Sequence, residues 1–138
     1  MRICVTGGKG MVGSCIKDIT KQYPEHDFVF LHRDVGEHSV ELTSKMSVLT
    51  YFSSHKYDAI IHLAADVGGL YKNMDKNVEM FNNNMAINQN VLEAAHHYNI
   101  QRGIFCLSSC IYPPKPSKFP MDETMIHEGP PHPSNEGY

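Results

Sequence analysis

Gly7, Gly10 and Gly13 recur at three-residue spacing inside the opening stretch MRICVTGGKGMVG. They follow the short apolar run Ile3, Cys4, Val5, and the apolar residues Met11, Val12 and Ile16 resume behind them at helical spacing. A glycine turn between a strand and a helix lets backbone N–H groups approach a pyrophosphate with no Cβ in the way. It also aims the positive end of the helix at that anion. Gly7, Gly8, Lys9, Gly10, Met11, Val12 and Gly13 are therefore the candidate phosphate cradle. A glycine-rich turn that binds nothing has the same composition, and the position at the start of a strand–helix unit is what favours the cradle.

Arg33 stands twenty residues after Gly13, where the second strand of such a unit presents its last side chain to the adenosine ribose. An acidic residue there accepts from the 2′-hydroxyl, whereas a guanidinium grips a 2′-phosphate as a bidentate fork. Arg33 together with Lys9 favours NADP over NAD. Asp34 is the competing ribose acceptor, and a solvated surface charge is the plain alternative for Arg33. Small or reactive residues also collect behind two later apolar runs: Ala64 and Ala65, at the head of the small-residue turn 64–70, follow the run that ends at Leu63, and Ser108, Ser109 and Cys110 follow the other.

The elements that must position these groups alternate. Strands are expected at the N-terminus and at 28–31, 59–63 and 103–107, the third a continuous apolar run as in a parallel strand covered on both faces. Helical spacing joins Met11, Val12, Cys15, Ile16, Ile19 and Tyr23 up to Pro24, and a second helix starts near Ser44 with Met46, Val48, Leu49 and Phe52 inward. Residues 73–99 read as a long helix with Phe81, Met85, Asn88, Val91, Leu92, Ala94 and Ala95 inward and with 82–84 as the place where it would break. All but one of the eight prolines fall between Tyr112 and Pro133, which reads as an irregular segment. The expected fold class is α/β: a doubly wound parallel sheet of the Rossmann, NAD(P)-binding type, truncated after strand 4, with strand order 3-2-1-4 and a ligand crevice between the ends of strands 1 and 4.

The 138 residues are at most one domain, here an NADP-binding Rossmann domain, with 41% apolar and 20% charged residues, as in a soluble globular protein. A net charge of −3 offers no basic surface for nucleic acid or membrane. No apolar run reaches the length of a membrane span and no cleavable leader is evident, so the cytoplasm is the expected compartment. Cys4, Cys15, Cys106 and Cys110 lack zinc-finger or CxxC spacing and read as reduced thiols, with no metal expected.

Several blocks carry a family resemblance: TGGKGMVGS, HLAADVGGL at 62–70, NVLEAAH, LSSCIYP at 107–113 and PMDETMIHEGPPHPSNEGY at 120–138. The chain closely resembles the N-terminal half of the GDP-L-fucose synthase family of extended short-chain dehydrogenase/reductases. The resemblance implies an NADPH-dependent conversion of GDP-4-keto-6-deoxy-D-mannose to GDP-L-fucose by epimerisation at C3 and C5 and reduction at C4. It assigns Ser108, four residues before Tyr112 in S-x-x-x-Y, and Tyr138 as hydrogen-bond donors to the 4-keto oxygen, with Tyr138 also on the cofactor. It assigns Cys110 as an acid–base group of the epimerisation, and it places Leu63, Ala64 and Ala65 along the cofactor. Asn84 matches an asparagine that steadies the active-site region, whereas His62 reads as a satisfied strand histidine. A homodimer joined through the long helices is implied as well.

Protons next to a ketone are acidic enough for a thiolate to remove, because the enolate places its charge on the oxygen that Ser108 and Tyr138 would hold. Without the resemblance, Ser108 reads as a strand cap and Cys110 as a small buried apolar residue. The printed sequence stops at Tyr138, before the lysine that the family places four residues later and before the substrate domain and the catalytic histidine. Two expectations follow: a portion of an active epimerase–reductase that is inactive on its own, or a naturally short dinucleotide-binding module that pairs with full-length subunits.

Overall fold

Strand β1 (Arg2–Thr6) is an interior strand of a four-stranded parallel sheet, with β2 (Asp27–Phe30) on one side and β3 (Ala59–His62) on the other, and β4 (Arg102–Phe105) beyond β3. The structure is a computed structural model and describes residues 1–135; Glu136, Gly137 and Tyr138 lie outside the described residues. In register, Cys4 stands opposite Val29 on one side and Ile60 on the other, and all three are buried. This row anchors the core, to which α2 (Lys45–Ser54) adds Val48, Tyr51 and Phe52, and the helix that precedes β4 adds Ile87, Val91 and Ala94.

The order β2-β1-β3-β4 corrects the expected 3-2-1-4. The flank of β2 opposite β1 is taken by residues 38–40: His32 donates to the His38 carbonyl at 3.1 Å and accepts from Val40 N–H at 2.8 Å. That piece forms a single parallel bridge, His32 to Ser39, and it is polar, so no apolar run announced it. With the place beside β2 filled, the next strand returns past β1 and lands on its other side. The strand order therefore switches between β1 and β3, and the crevice at the carboxyl ends belongs there, not between strands 1 and 4.

The helices begin and end for local reasons. α1 (Met11–Ile19) runs into a 3-10 turn at Thr20–Gln22 ahead of Pro24. Ser44 caps α2 by accepting from Ser47 N–H at 3.3 Å. The long helical pattern is two helices, α3 (Leu70–Asp75) and α4 (Asn77–His97), separated at Lys76, and α4 continues unbroken through 82–84. α4 stops at Asn99, which adopts φ +57; Asn99 N–H then bonds the His96 carbonyl and Ile100 N–H the Ala95 carbonyl, a Schellman closure.

Two inward faces differ from expectation. On α2 the buried set includes Tyr51, whereas Met46 is 74% exposed. On α4 the buried residues are Met80, Ile87, Asn90, Val91, Ala94 and Ala95, and Phe81, Met85, Asn88 and Leu92 are exposed. α4 carries two apolar stripes, and the one with the smaller side chains near its C-terminal end is the one placed in the core. Asn90 is tolerated there because it donates to the Leu42 carbonyl at 2.9 Å.

The chain separates into two compact units, Met1–Ala65 with Asn83–Cys106, and Asp66–Asn82 with the chain from Leu107 on. The sheet, α1 and α2 belong to the first. In the second, Lys72 of α3 pairs with Asp66, Ser117 binds Glu128 through both N–H and hydroxyl at 2.9 and 2.6 Å, and Asp122 caps the turn at Glu123–His127 over buried Met125. Proline density leaves this segment in 3-10 turns, as its composition implies. All four cysteines are free thiols. Among the described residues no helix is long and apolar enough to cross a membrane.

Candidate dinucleotide-binding site

The glycine loop leaves β1 at Thr6 and turns sharply at Gly7, whose φ of +70 favours glycine. A Cβ on Gly7 would lie 3.0 Å from Ala64 N and 3.1 Å from the Leu63 carbonyl carbon, so the loop and the turn after β3 meet backbone to backbone. Gly8 donates to the Leu31 carbonyl at 2.9 Å, which ties the same loop to the end of β2. Gly10 N–H returns to the Gly7 carbonyl at 2.9 Å. Gly13 packs back on the loop: a Cβ there would fall 2.5 Å from Gly7 O and 2.8 Å from Gly8 Cα.

α1 therefore starts with its end open. Its N-cap, Gly10, brings no side-chain acceptor, and the first intrahelical bond is Ser14 N–H to Gly10 O at 2.9 Å. The amides of Met11, Val12 and Gly13 precede that bond and lie at the positive end of the helix dipole. A loop that approaches neighbouring backbone this closely, ending in helix amides with no side-chain cap, fits the pyrophosphate of a dinucleotide.

Arg33 follows β2 in the bend that precedes the His32–Ser39 bridge; it is exposed and makes no ion pair among the described residues. Its neighbour Asp34 is engaged: Lys9 Nζ lies 2.7 Å from Asp34 Oδ2, and this contact holds the Asp34 carboxyl below the usual carboxylate range. The competing ribose acceptor is thus answered by the lysine of the glycine loop, while the Arg33 guanidinium stays available to an anion.

Behind the loop lies a buried polar chain that residue types alone left unassigned. Thr6 Oγ1 accepts from the N–H groups of Leu63 and Ala64 at 3.1 and 3.2 Å and sits 2.7 Å from His62 Nδ1; His62 Nε2 lies 3.0 Å from Asn88 Oδ1. Burial lowers the imidazole pKa, against the opposing effect of the Asn88 bond, so the ring is neutral at neutral pH. His62 is the satisfied strand histidine expected of it. The available signal was a Thr and a His at facing strand ends, one polar residue at the close of each otherwise apolar run. Asn84 is half-buried on α4.

The first unit thus gathers Gly7–Gly13, Arg33 and Leu63, Ala64 and Ala65 at the ends of β1, β2 and β3. Ser108 and Cys110 belong to the second unit. There Ser108 begins a 3-10 turn at Ser109–Ile111, and its Oγ accepts from Cys110 N–H at 3.1 Å. Among the described residues its one hydroxyl hydrogen has no acceptor and remains to donate elsewhere. Cys110 is half-buried. By contrast, burial pushes the Cys4 thiol up, which makes it inert. Tyr138 lies outside the described residues.

A model of the NAD dependent epimerase/dehydratase family matches residues 3–138. The chain belongs to that family. Among curated members, a probable GDP-L-fucose synthase of Drosophila melanogaster is 44% identical over 138 residues, and the GDP-L-fucose synthase of Dictyostelium discoideum is 45% identical over 136 residues. Each alignment covers 99% of this chain and 42% of the relative, so the chain spans about two-fifths of the length of these curated relatives. The crystal structure of a GDP-L-fucose synthetase from Naegleria fowleri bound to NADP superposes with a TM-score of 0.81 at 32% identity, over 99% of this chain and 39% of that one. That structure shares the fold described above over the length of this chain.

Proposed function

We propose that this chain is the NADP-binding portion of an epimerase–reductase that converts GDP-4-keto-6-deoxy-D-mannose to GDP-L-fucose. The observation that carries the cofactor reading is an exposed Arg33, without an ion pair among the described residues, beside a glycine loop whose Lys9 already neutralises Asp34. The substrate reading is supported by the relatives named as GDP-L-fucose synthases at 44% and 45% identity, and the NADP in the Naegleria fowleri relative supports the cofactor reading.

When bound, NADPH supplies the hydride for the C4 carbonyl. The amides of Met11, Val12 and Gly13 would hold the pyrophosphate, Arg33 would hold the 2′-phosphate while Lys9 keeps Asp34 neutralised, and Leu63, Ala64 and Ala65 would wall the site. Ser108 donates its free hydroxyl hydrogen to the 4-keto oxygen, with Tyr138 as the second donor. Cys110, as thiolate, removes the proton from a carbon next to the ketone, and the enolate charge collects on the oxygen those two donors hold. Delivery of a proton by a second group, a general acid on the other face, inverts the centre. The same donors suit the C4 oxygen as it becomes an alkoxide, so one arrangement serves both reactions.

We also propose a homodimer through α4, where Val78, Phe81, Met85 and Leu92 are exposed at spacings of three, four and seven residues, the pattern of an interhelical seam.

The function is tested by incubating the complete epimerase–reductase of which this chain is the NADP-binding portion with GDP-4-keto-6-deoxy-D-mannose and NADPH in deuterium oxide and reading the product by NMR. GDP-L-fucose carrying deuterium at C3 and C5 is the expected product. A sugar reduced at C4 with both neighbouring centres unexchanged would make the protein a plain 4-reductase and overturn the reading.

A further inference from the structure

We propose that Asn88, His62 and Thr6 form a positioning network that locks the turn carrying Leu63, Ala64 and Ala65 against the glycine loop, and so sets the shape of the dinucleotide cradle. The proposal rests on the reading of that loop as a cofactor site, and it adds residues that touch no cofactor atom.

The direction of every hydrogen bond follows from counting. A threonine hydroxyl has one hydrogen and two acceptor sites. Both acceptor sites of Thr6 Oγ1 are taken by the N–H groups of Leu63 and Ala64, so its hydrogen goes to His62 Nδ1. Nδ1 is then the bare nitrogen, and the ring carries its hydrogen on Nε2, aimed at Asn88 Oδ1. Thr6 is fully buried and His62 nearly so. Among the described residues the ring is in hydrogen-bond or ring contact with Thr6 from β1, Asn88 from α4 and Phe105 from β4, whose ring centre is 5.4 Å away, and none of the three is charged.

The turn so held is the one that meets Gly7 backbone to backbone, where a Cβ would lie 3.0 Å from Ala64 N. Release of the Leu63 or Ala64 amide from Thr6 lets the turn move relative to the glycine loop. A hydrogen on His62 Nδ1 has that effect, because three donors then compete for two acceptor sites on one hydroxyl.

Nitrogen-15 NMR of the wild-type protein should show His62 in the Nε2–H form. Thr6→Val should weaken NADPH and NADH alike, by about tenfold, and should speed hydrogen exchange at Leu63 and Ala64 while Ile61 keeps its protection. Thr6→Ser should restore both. Asn88→Asp changes an exposed residue and leaves the core packing intact. Its carboxylate stabilises the imidazolium, so its NADPH affinity relative to wild type should fall about tenfold between about pH 8.5 and about pH 6.

An Nδ1–H tautomer in the wild type, or Thr6→Val with wild-type affinity and unchanged exchange at Leu63 and Ala64, would overturn the network. A flat pH profile for Asn88→Asp relative to wild type would do the same. A wild-type protein that binds neither nucleotide sinks the functional reading and this network's claim on the cofactor together; the tautomer and exchange measurements still decide the network itself.

Discussion

Replacing Gly13 with alanine is expected to raise the dissociation constant for NADPH at least about a hundredfold, close to 2.7 kcal/mol. The added methyl would sit 2.5 Å from Gly7 O, 2.8 Å from Gly8 Cα and 2.9 Å from the Gly8 carbonyl carbon. All three are backbone atoms, so no side chain can swing aside, and α1 must lift off the loop that its N-terminus completes. Overpacking of this kind costs about 1–3 kcal/mol in stability, and the displacement carries the Met11 and Val12 amides away from the phosphates. Gly10→Ala separates the two effects. Among the described residues its Cβ would meet Gly7 O alone, at 3.2 Å, so the variant should lose less stability than Gly13→Ala and still bind poorly, because the methyl stands where the pyrophosphate would approach. Isothermal titration with thermal unfolding reads both quantities. A Gly13→Ala protein with wild-type affinity would remove the cradle from the account.

The second large effect concerns Cys110. In the complete epimerase–reductase, Cys110→Ser should slow epimerisation by about 10²–10⁴-fold, the usual contribution of a positioned acid–base group, and leave reduction of the already epimerised keto sugar close to wild type. A serine hydroxyl keeps the size of the side chain and loses the acidity of the thiol. The backbone N–H of residue 110 still reaches Ser108 Oγ at 3.1 Å, so the donor to the keto oxygen stays placed. Deuterium wash-in at C3 and C5 measures one reaction and NADPH absorbance with the epimerised substrate measures the other. Equal losses in both would contradict the separate role given to the thiol.

The parts that residue types and spacing made legible are those with strong local chemistry. The glycine loop required residues without Cβ, and Gly7 and Gly13 stand where a methyl would strike backbone. Arg33 at its distance from Gly13 arrives just past β2 because a parallel βαβ unit of short loops has little freedom in length. The helix start at Ser44 was equally local, a side-chain oxygen accepting from an amide three residues on.

What was not legible depended on partners far along the chain. Strand order turned on the bridge from His32 to Ser39, a piece of polar sequence with no periodicity to show it. The inward face of α4 could not be chosen from period alone, because Val78, Phe81, Met85 and Leu92 make as good an apolar stripe as Ile87, Val91, Ala94 and Ala95; tertiary packing selected the second. The Thr6–His62–Asn88 chain joins residues 56 and 26 positions apart, and its one local trace, a polar residue closing each of two apolar runs, does not say that the two meet or that Asn88 joins them. Lys9 and Asp34 both looked like cofactor ligands in competition, and only the 2.7 Å contact between them shows that one answers the other.

The central claim is that Arg33 reads a 2′-phosphate, and a fluorescence titration of the wild-type protein and Arg33→Ala with NADPH and with NADH tests it most directly. The account predicts that the wild type binds NADPH more tightly than NADH by about 1–3 kcal/mol, the range of a charge-assisted contact, and that Arg33→Ala closes most of that gap by weakening NADPH alone. Equal wild-type affinities for the two nucleotides, or a preference for NADPH that survives Arg33→Ala intact, would contradict it.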